Sequence, residues 1–353
     1  MADIYEWELI DFAENKAIIK ARYNSIKTID QFPAANQWQY LLPIIDAYFE
    51  PSSTIFAILR KNSEDIFIMP ISLFTVRKFA FSWQETGFPF HNHINLIKLP
   101  AEIHNNQRVL FDLISKVRQK FGNSWARFSI RNIEYDGTDY EYCGNLSYFD
   151  TQSDKNISDI ISNKHNKNLI RIGKRINTEF GEIKLTINSP SLEESLEDFI
   201  ELESKSWKGL NGVAINSSET LKNTYIKISE NFTSNKMIIV KIESQQNILS
   251  TALCFKLEDT LYIHKISHNK HYPEYSPGSI LILKLLEHCI ESVDIEKLNL
   301  VTSPAWAKRW HPQYSDIQNV VKYNDNVAGS FLKLTIFYWR KYKPLIKSLL
   351  RIR

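Results

Sequence analysis

The sequence predicts an α+β fold divided into two domains. Its 353 residues exceed the ~100–200 residues of an ordinary domain. Hydrophobic residues make up 43% of the chain and charged residues 24%, so each half can bury a core. In the second half, two helical patterns precede three consecutive strand patterns, a further helix and another strand. Short connections between the three strands predict an antiparallel meander.

Individual patterns set the expected element and domain boundaries. Strand patterns cover 54–59 and 66–73 around a polar turn, and an apolar stripe predicts a helix over 107–121. The polar run at 150–156 is typical of a boundary. We therefore expect an N-terminal domain, a C-terminal domain and a basic amphipathic helix. Their expected ranges are 1–155, 156–330 and 331–353.

Composition excludes several classes of protein. The net charge of +3 is too small to indicate a nucleic-acid partner. Three well-separated cysteines, Cys143, Cys254 and Cys289, argue against a disulfide framework and a cysteine zinc site. The acidic start lacks the apolar core of a signal peptide, and no run approaches the ~18 apolar residues of a membrane span. We expect a cytoplasmic protein without a metal ion.

The most informative stretch is a strand, a polar loop and a helix that begins near residue 277. Ser276 is placed as the N-cap, and Pro277 suits the first helical position because it has no N–H. Gly278 leaves room for a ligand to approach the backbone, and the following N–H groups are expected to form a phosphate site. A strand-loop-helix without a ligand is the alternative. The candidate phosphate-binding residues are Ser276, Pro277, Gly278, Ser279, Ile280 and Leu281.

Four blocks of sequence together carry a family resemblance. The blocks are residues 168–175, 199–209, 263–265 and 272–281. In type and spacing they resemble the CelD/BcsL-type branch of the GNAT acyltransferases. The resemblance is sharpest over 160–310, while Trp38, Trp83 and residues 95–97 fit it more loosely. The chain departs from the family pattern at Asn299, where an aspartate is usual, and at Ala307-Lys308, where a Tyr-Lys pair is usual.

The resemblance implies a GNAT fold, often doubled within one chain. It implies that acetyl-CoA or another acyl-CoA lies in a splayed gap between two strands, with its pyrophosphate at the helix that starts at Pro277. Ile266, on the strand beside the gap, joins the implied acyl-CoA residues. The implied acceptor is a small-molecule amine, frequently an amino sugar or nucleotide-linked sugar of surface polysaccharide.

Transfer of an acyl group to an amine needs a base and an oriented acceptor. His264, on the strand beside the gap, is the candidate base because its pKa suits neutral pH. Glu203 is the second candidate. A hydrogen-bonded strand histidine and a solvated helix face are the respective structural alternatives. His268 and His271 follow His264 without a nearby cysteine or carboxylate set, so we expect no zinc site.

Candidate acceptor-binding residues lie on three other segments. Trp207 either walls the acceptor cleft or packs between helix and sheet. Arg171 and Arg175 belong to a basic helical strip that either faces phosphate or is solvated. Lys308 is all that is left of the family's Tyr-Lys pair.

Two other functions stay open at this stage. A FemAB-like aminoacyltransferase uses a related doubled fold and takes its acyl group from aminoacyl-tRNA. The Ser-Pro-Gly loop favours CoA instead, and the lack of an inserted helical hairpin arm in the sequence disfavours tRNA. A non-catalytic acyl-CoA-binding module is the third hypothesis, because of Asn299 and Ala307. Finally, the basic, aromatic C-terminal helix either caps the domain or makes weak peripheral contact with the inner membrane face.

Overall fold

A computed structural model describes residues 3–28, 31–78, 81–89, 96–104, 106–134, 141–152, 155–245 and 247–349. Among these residues, twelve strands form one continuous sheet. The strands are β1 Tyr5–Asp11, β2 Thr54–Lys61, β3 Glu64–Lys78, β4 Phe81–Gly87, β5 Arg127–Glu134, β6 Glu141–Asp150, β7 Lys184–Ile187, β8 Met237–Ser244, β9 Asn247–Leu257, β10 Thr260–His268, β11 Lys297–Asn299 and β12 Gln313–Tyr323. The helices are α1 Phe12–Ser25, α2 Trp38–Tyr48, α3 Ala101–His104, α4 Gln107–Phe121, α5 Ile157–Ile160, α6 Asn163–Phe180, α7 Leu192–Ser204, α8 Trp207–Leu210, α9 Glu219–Asn231, α10 Pro277–Glu291 and α11 Val327–Leu349.

The sheet contains the same order of elements twice. Strands β1–β5 and β7–β11 each lie side by side in sequence order. Within each set the pairs are antiparallel, except that β4–β5 and β10–β11 are parallel. Two longer helices separate the first two strands of each set, α1 and α2 in one half and α7 and α9 in the other. One long helix, α4 or α10, joins each parallel pair.

The two halves are joined by an exchange of strands. β6 follows β5 along the chain but pairs with β11, whereas β12 follows β11 but pairs with β5. β6 and β12 also pair with each other, which makes the sheet continuous. The expected boundary at residue 155 falls between β6 and α5, but each half is completed by a strand from the other.

Most sequence-based element predictions are confirmed. The helix expected over 107–121 is α4, with its apolar stripe buried and the Asn106 side chain accepting the Arg108 N–H. β8, β9 and β10 form the predicted antiparallel meander. The last predicted strand is β11, which is short and ends at Asn299, and the C-terminal helix, expected over 331–353, begins earlier, at Val327. Residues 350–353 of that expected helix, and Asn95, lie outside the described residues.

Two groups of helices bury the C-terminal half of the sheet. α6 and α10 cover one face, through residues such as Leu169 and Leu285. α7 and α9 cover the other face, through residues such as Phe199 and Tyr225. α2 of the N-terminal half packs against α9, which brings the two halves together beside β10. Within the described residues, no helix is long and apolar enough to cross a membrane.

Candidate active site

The parallel strands β10 and β11 separate soon after they pair. Their register covers only Thr260–Tyr262 against Lys297–Asn299, although β10 continues to His268. The Asn299 side chain accepts the Val301 N–H at 2.7 Å, and Val301 has φ +61°. A positive φ is strained for a β-branched residue and is characteristic of functional sites. This turn takes the chain away from β10, so a gap opens along the rest of that strand.

The gap is part of a cleft of about 990 Å³. This volume lies at the upper end of the range for small-molecule sites, roughly 300–1,000 Å³. One side is formed by β10 and the start of α10, and the opposite side by the segment after β11. The lining side chains include Trp207, Lys208, Ile263, His264, Lys265, Ile266, His268, Ser276, Pro277, Gly278, Ser279, Leu300, Thr302 and Trp306. The cleft therefore joins the predicted base to the predicted phosphate loop.

The start of α10 differs in two respects from the prediction. Pro277 occupies the first helical position as expected, but Ser276 is left-handed, with φ 45° and ψ 53°, and its hydroxyl does not cap the helix. Its carbonyl accepts the N–H groups of Ser279 and Ile280, at 2.8 and 3.2 Å. Of the N–H groups expected to form a phosphate site, those of Ser279 and Ile280 are therefore hydrogen-bonded within the chain instead. The Gly278 N–H, in contrast, has no partner among the described residues.

A β-bulge places two consecutive side chains on one face of β10. The register with β9 shifts between Ile263 and Lys265, which leaves His264 as the extra residue. A bulge re-aims side chains that would otherwise alternate between faces. His264 contacts Tyr225 of α9, and Lys265 contacts Glu203 of α7, so both face the same pair of helices.

His264 lies where the two halves meet. Its Nε2 is 3.0 Å from the Tyr40 hydroxyl on α2 and 2.8 Å from the Tyr225 hydroxyl on α9. Burial raises the pKa of both phenols, so they stay protonated at neutral pH. A cavity of about 20 Å³, lined by His264 and Tyr40 among others, adjoins it on the N-terminal side. His264 is both a hydrogen-bonded strand histidine and a cleft residue.

Glu203 is fully buried rather than solvated. Its Oε1 accepts hydrogen bonds from Lys208 and Lys265, at 3.0 and 3.2 Å, and its Oε2 accepts the Ile215 N–H at 2.8 Å. Since both oxygens are engaged and the side chain does not line the cleft, this geometry favours a role in holding the two lysines. The candidate role of Glu203 as a base stays a prediction without support from the cleft geometry.

The two lysines held by Glu203 reach the cleft. Lys208 Nζ also donates to the Ile266 carbonyl at 2.8 Å, at the edge of the gap. Burial lowers the pKa of Lys265; Glu203 opposes this shift and Lys208 adds to it. Burial, with the charge of Lys208, also lowers the pKa of His268. The ammonium groups of Lys208 and Lys265 thus share the single carboxylate of Glu203, which leaves a net positive charge beside the cleft.

The other candidate residues divide into those in the cleft and those outside it. Trp207 and Ile266 line the cleft, and their assigned binding roles stay predictions. Arg171 bonds to Asn168 and Arg175 lies over the Tyr275 ring at 5.0 Å, while Lys308 is exposed. None of these three cations lines the cleft, so its geometry does not support their assignment to the acceptor. Ile280 and Leu281 have buried side chains in the core below α10.

Four cleft or near-cleft residues were missed by sequence reasoning. Lys208 follows Trp207 and Lys265 follows His264 in the sequence. Their position next to these candidate residues could have indicated that they lie near the cleft. Tyr40 and Tyr225 come from helices about 185 residues apart, and no local pattern marks them. Among the described residues, no group of three His, Cys, Asp or Glu side chains could hold a metal ion.

The region that builds this cleft matches a known family model. Residues 164–310 match the model described as "Acetyltransferase (GNAT) domain". The fold is of the GNAT type. The expected α+β GNAT fold is therefore confirmed, and the match spans the gap, the bulge and the start of α10. The finer resemblance to the CelD/BcsL-type branch stays a prediction. A search of curated proteins returns no match.

Several solved structures align with nearly the whole chain. The crystal structure of FemX has a TM-score of 0.56 at 10% identity, over 94% of this chain and 99% of that chain. The C-terminal domain of a putative lysylphosphatidylglycerol synthetase from Agrobacterium fabrum has a TM-score of 0.49 at 12% identity, over 91% and 96%. A tandem GNAT protein from the clavulanic acid biosynthesis pathway has 0.44 at 9%, over 90% and 98%. At these identities the FemX likeness shows the fold alone, and that likeness covers both halves of the chain.

Proposed function

We propose that this protein is an acyl-CoA-dependent N-acyltransferase that uses acetyl-CoA or another acyl-CoA. The observation that carries the proposal is the gap between β10 and β11, which leads from His264 to the start of α10. A long, flexible thioester needs a groove of this kind, with an anion site at one end and a polar residue at the other. The GNAT domain match over the same residues supports this reading.

The chemistry of the cleft suits a diphosphate at the end formed by α10. The Gly278 N–H lies at the positive end of the α10 dipole, which favours an anion. A Cβ at Gly278 would meet only His268 Nδ1, at 3.7 Å, so the glycine keeps open a space that a ligand can use. Ser276 and Ser279 also line this end, and the ammonium group of Lys208 adds positive charge.

In the proposed reaction, the nitrogen of a neutral amine attacks the thioester carbonyl carbon. A C–N bond forms, the C–S bond breaks, and the electron pair of that bond leaves with the CoA sulfur. The attacking nitrogen loses one proton, and His264 is placed to accept it. Tyr40 and Tyr225 fix the position of the imidazole through their hydroxyl groups.

The proposed acceptor is a small-molecule amine, such as an amino sugar or a nucleotide-linked sugar of surface polysaccharide biosynthesis, modified in the cytoplasm. Trp207 and Trp306 present large, partly exposed rings at the cleft. Aromatic rings of this kind offer a flat apolar face beside a polar edge, which suits a sugar or base. Lys208 and Lys265 favour an acceptor that carries a phosphate or carboxylate.

Titration calorimetry with acetyl-CoA tests the cofactor part of the proposal. Gly278→Asp should abolish binding, because a carboxylate would stand among the phosphate oxygens. Gly173→Asp on α6 is the matched control, since a side chain there meets nothing within 4 Å and lies outside the cleft. A folded Gly278→Asp protein that binds acetyl-CoA as tightly as the wild type would move the site elsewhere.

The same titration separates the competing functions. Binding of tRNA without binding of acetyl-CoA would favour the FemAB-like aminoacyltransferase. Tight acetyl-CoA binding without thiol release, across a panel of amino sugars and nucleotide-linked amino sugars, would favour a binding module. Thiol release that depends on one of these amines would establish the transferase and name its acceptor.

A further inference from the structure

The C-terminal helix α11 leaves the body of the protein soon after it begins. Gly329 fits closely beneath Asn324, whose carbonyl oxygen would lie 2.1 Å from an added Cβ. Leu332, 6% exposed, is the last buried residue among the side chains of this helix that the structure describes, which end at Lys343. Of the side chains described from Lys333 to Lys343, none is buried. Over the side chains described as far as Lys343, contact with the body is therefore restricted to the first two turns of the helix.

Large apolar side chains follow one another along the uncovered part of α11. Phe331, Leu334, Tyr338 and Tyr342 recur at intervals of three and four residues, which places them on one side of the helix. Phe337 lies beside this stripe, and the five side chains are between 42% and 60% exposed. The rings of Tyr338 and Tyr342 stack at 6.3 Å. Side chains of the stripe therefore contact each other, but the body of the protein does not cover them.

Positive charge is concentrated on the same segment. Residues 327–353 hold seven Lys or Arg and no Asp or Glu. Since the whole chain has 43 basic and 40 acidic residues, the remaining 326 residues hold 36 basic and 40 acidic ones, a net charge of −4. An overall charge close to neutral thus conceals a strongly basic C-terminal segment on a weakly acidic body. The basic residues are Lys333, Arg340, Lys341, Lys343, Lys347, Arg351 and Arg353.

We infer that α11 docks this protein on an anionic lipid surface, with the helix lying in the headgroup region. Aromatic residues settle at the headgroup boundary, and Lys and Arg are attracted to anionic lipids. A second copy of the chain is a poorer occupant, because pairing two copies of α11 would bring ten Lys or Arg residues together without an Asp or Glu. The body has a weak net negative charge, and its basic helix α6 has no exposed aromatic side chain, which favours α11 as the contact. This inference does not depend on the acyltransferase activity.

Co-sedimentation with vesicles tests the inference on the full chain. Vesicles of phosphatidylcholine alone are compared with vesicles in which a quarter of the lipid is phosphatidylglycerol. We expect binding to the anionic vesicles at low salt and at least a tenfold loss of affinity at high salt. Phe337→Ser with Tyr338→Ser, and separately Lys341→Glu with Lys343→Glu, should each weaken binding at least tenfold.

Matched changes on the body provide the controls. Phe81→Ser with Val293→Ser removes two exposed apolar side chains, 54% and 96% exposed, away from α11. Lys164→Glu with Lys167→Glu makes the same charge change on the exposed surface of α6. Both controls should bind as the wild type does. No binding of the wild type at low salt, or equal losses in the controls, would overturn the inference. A dimer in sedimentation equilibrium that the α11 variants dissociate, without vesicle binding, would assign the stripe to a second copy.

Discussion

The N-terminal and C-terminal halves repeat one order of elements but differ at their parallel strand pairs. In the N-terminal half, β4 pairs with β5 up to its last residue, Gly87. Ile97 then bridges Ile133 beside the same strand, with the Ile97 N–H and carbonyl both bonded to β5. In the C-terminal half, the chain after β11 turns away at Val301 and the equivalent space is open. The open cleft in the C-terminal half therefore depends on the turn after β11, and not on the order of elements that both halves share.

Buried carboxylates sharpen this contrast. Glu85 on β4 binds Arg127 and Arg131 on β5, each at 2.6 Å, and so clamps the parallel strands together. Glu203 also binds two cations, but it comes from α7 and holds Lys208 and Lys265 on one side of the gap. A buried glutamate with two cations thus joins the parallel strands in the N-terminal half, whereas in the C-terminal half it holds two lysines beside an open cleft.

The largest expected effect is on turnover in the open half. His264→Ala should lower turnover roughly 10²–10⁴-fold if His264 accepts the amine proton. The rate of thiol release in the presence of acetyl-CoA and the acceptor measures this turnover. The affinity of the variant for acetyl-CoA should change little. Tyr40→Phe keeps the imidazole and should cost far less. Near-normal turnover of a folded His264→Ala protein from about pH 6 to 9 would limit His264 to packing.

The closed half should show its largest effect in stability. Glu85→Gln leaves two guanidinium groups without their carboxylate and should lower the free energy of unfolding by about 3 kcal/mol, the low end for buried pairs. The low end applies because both arginines keep some contact with water. Urea unfolding followed by tryptophan fluorescence measures this. Acetyl-CoA binding of the folded variant should be unchanged, and a weakened affinity would show that the two halves are coupled.

A matched pair of glycines separates the two halves directly. A Cβ at Gly87, where φ is +147°, would meet the Ser129 carbonyl oxygen at 1.8 Å, so Gly87→Ala should cost about 2–4 kcal/mol of stability. Gly278→Ala meets no close atom and should leave stability intact. It should weaken acetyl-CoA binding about tenfold, which corresponds to about 1.4 kcal/mol. Equal losses of stability in both variants would contradict the assignment of Gly278 to ligand space.

Acid should weaken the closed half through the same carboxylate. Burial alone would raise the pKa of Glu85, but Arg127 and Arg131 outweigh it and hold that pKa below its usual value. The stabilisation is therefore complete above the unfolded pKa of about 4.3 and is lost as the pH falls through the lower folded pKa. The stability difference between wild type and Glu85→Gln should shrink over that acidic range. A difference that stays constant into acid would rule out this linkage.

Local patterns predicted the C-terminal half well, because its strands and helices have clear periodicity. The helix start at Pro277 agrees with the prediction, because proline at the first helical position leaves no N–H unpaired. The left-handed Ser276 could not be read from the sequence, because serine adopts that conformation only under tertiary constraint. The bulge at His264 and its tyrosine partners depend on pairing between distant segments. The strand β12 was missed for the same reason.

The exchange of β6 and β12 has a consequence during synthesis of the chain. β5 ends at Glu134, but its partner β12 begins at Gln313, about 180 residues later. At roughly 5–20 residues per second, the ribosome needs about 10–40 s to supply it. Throughout that interval the newly made N-terminal half has an unpaired strand edge, the kind of surface that recruits other chains. A nascent chain of this protein is therefore most prone to aggregation between completion of β5 and emergence of β12.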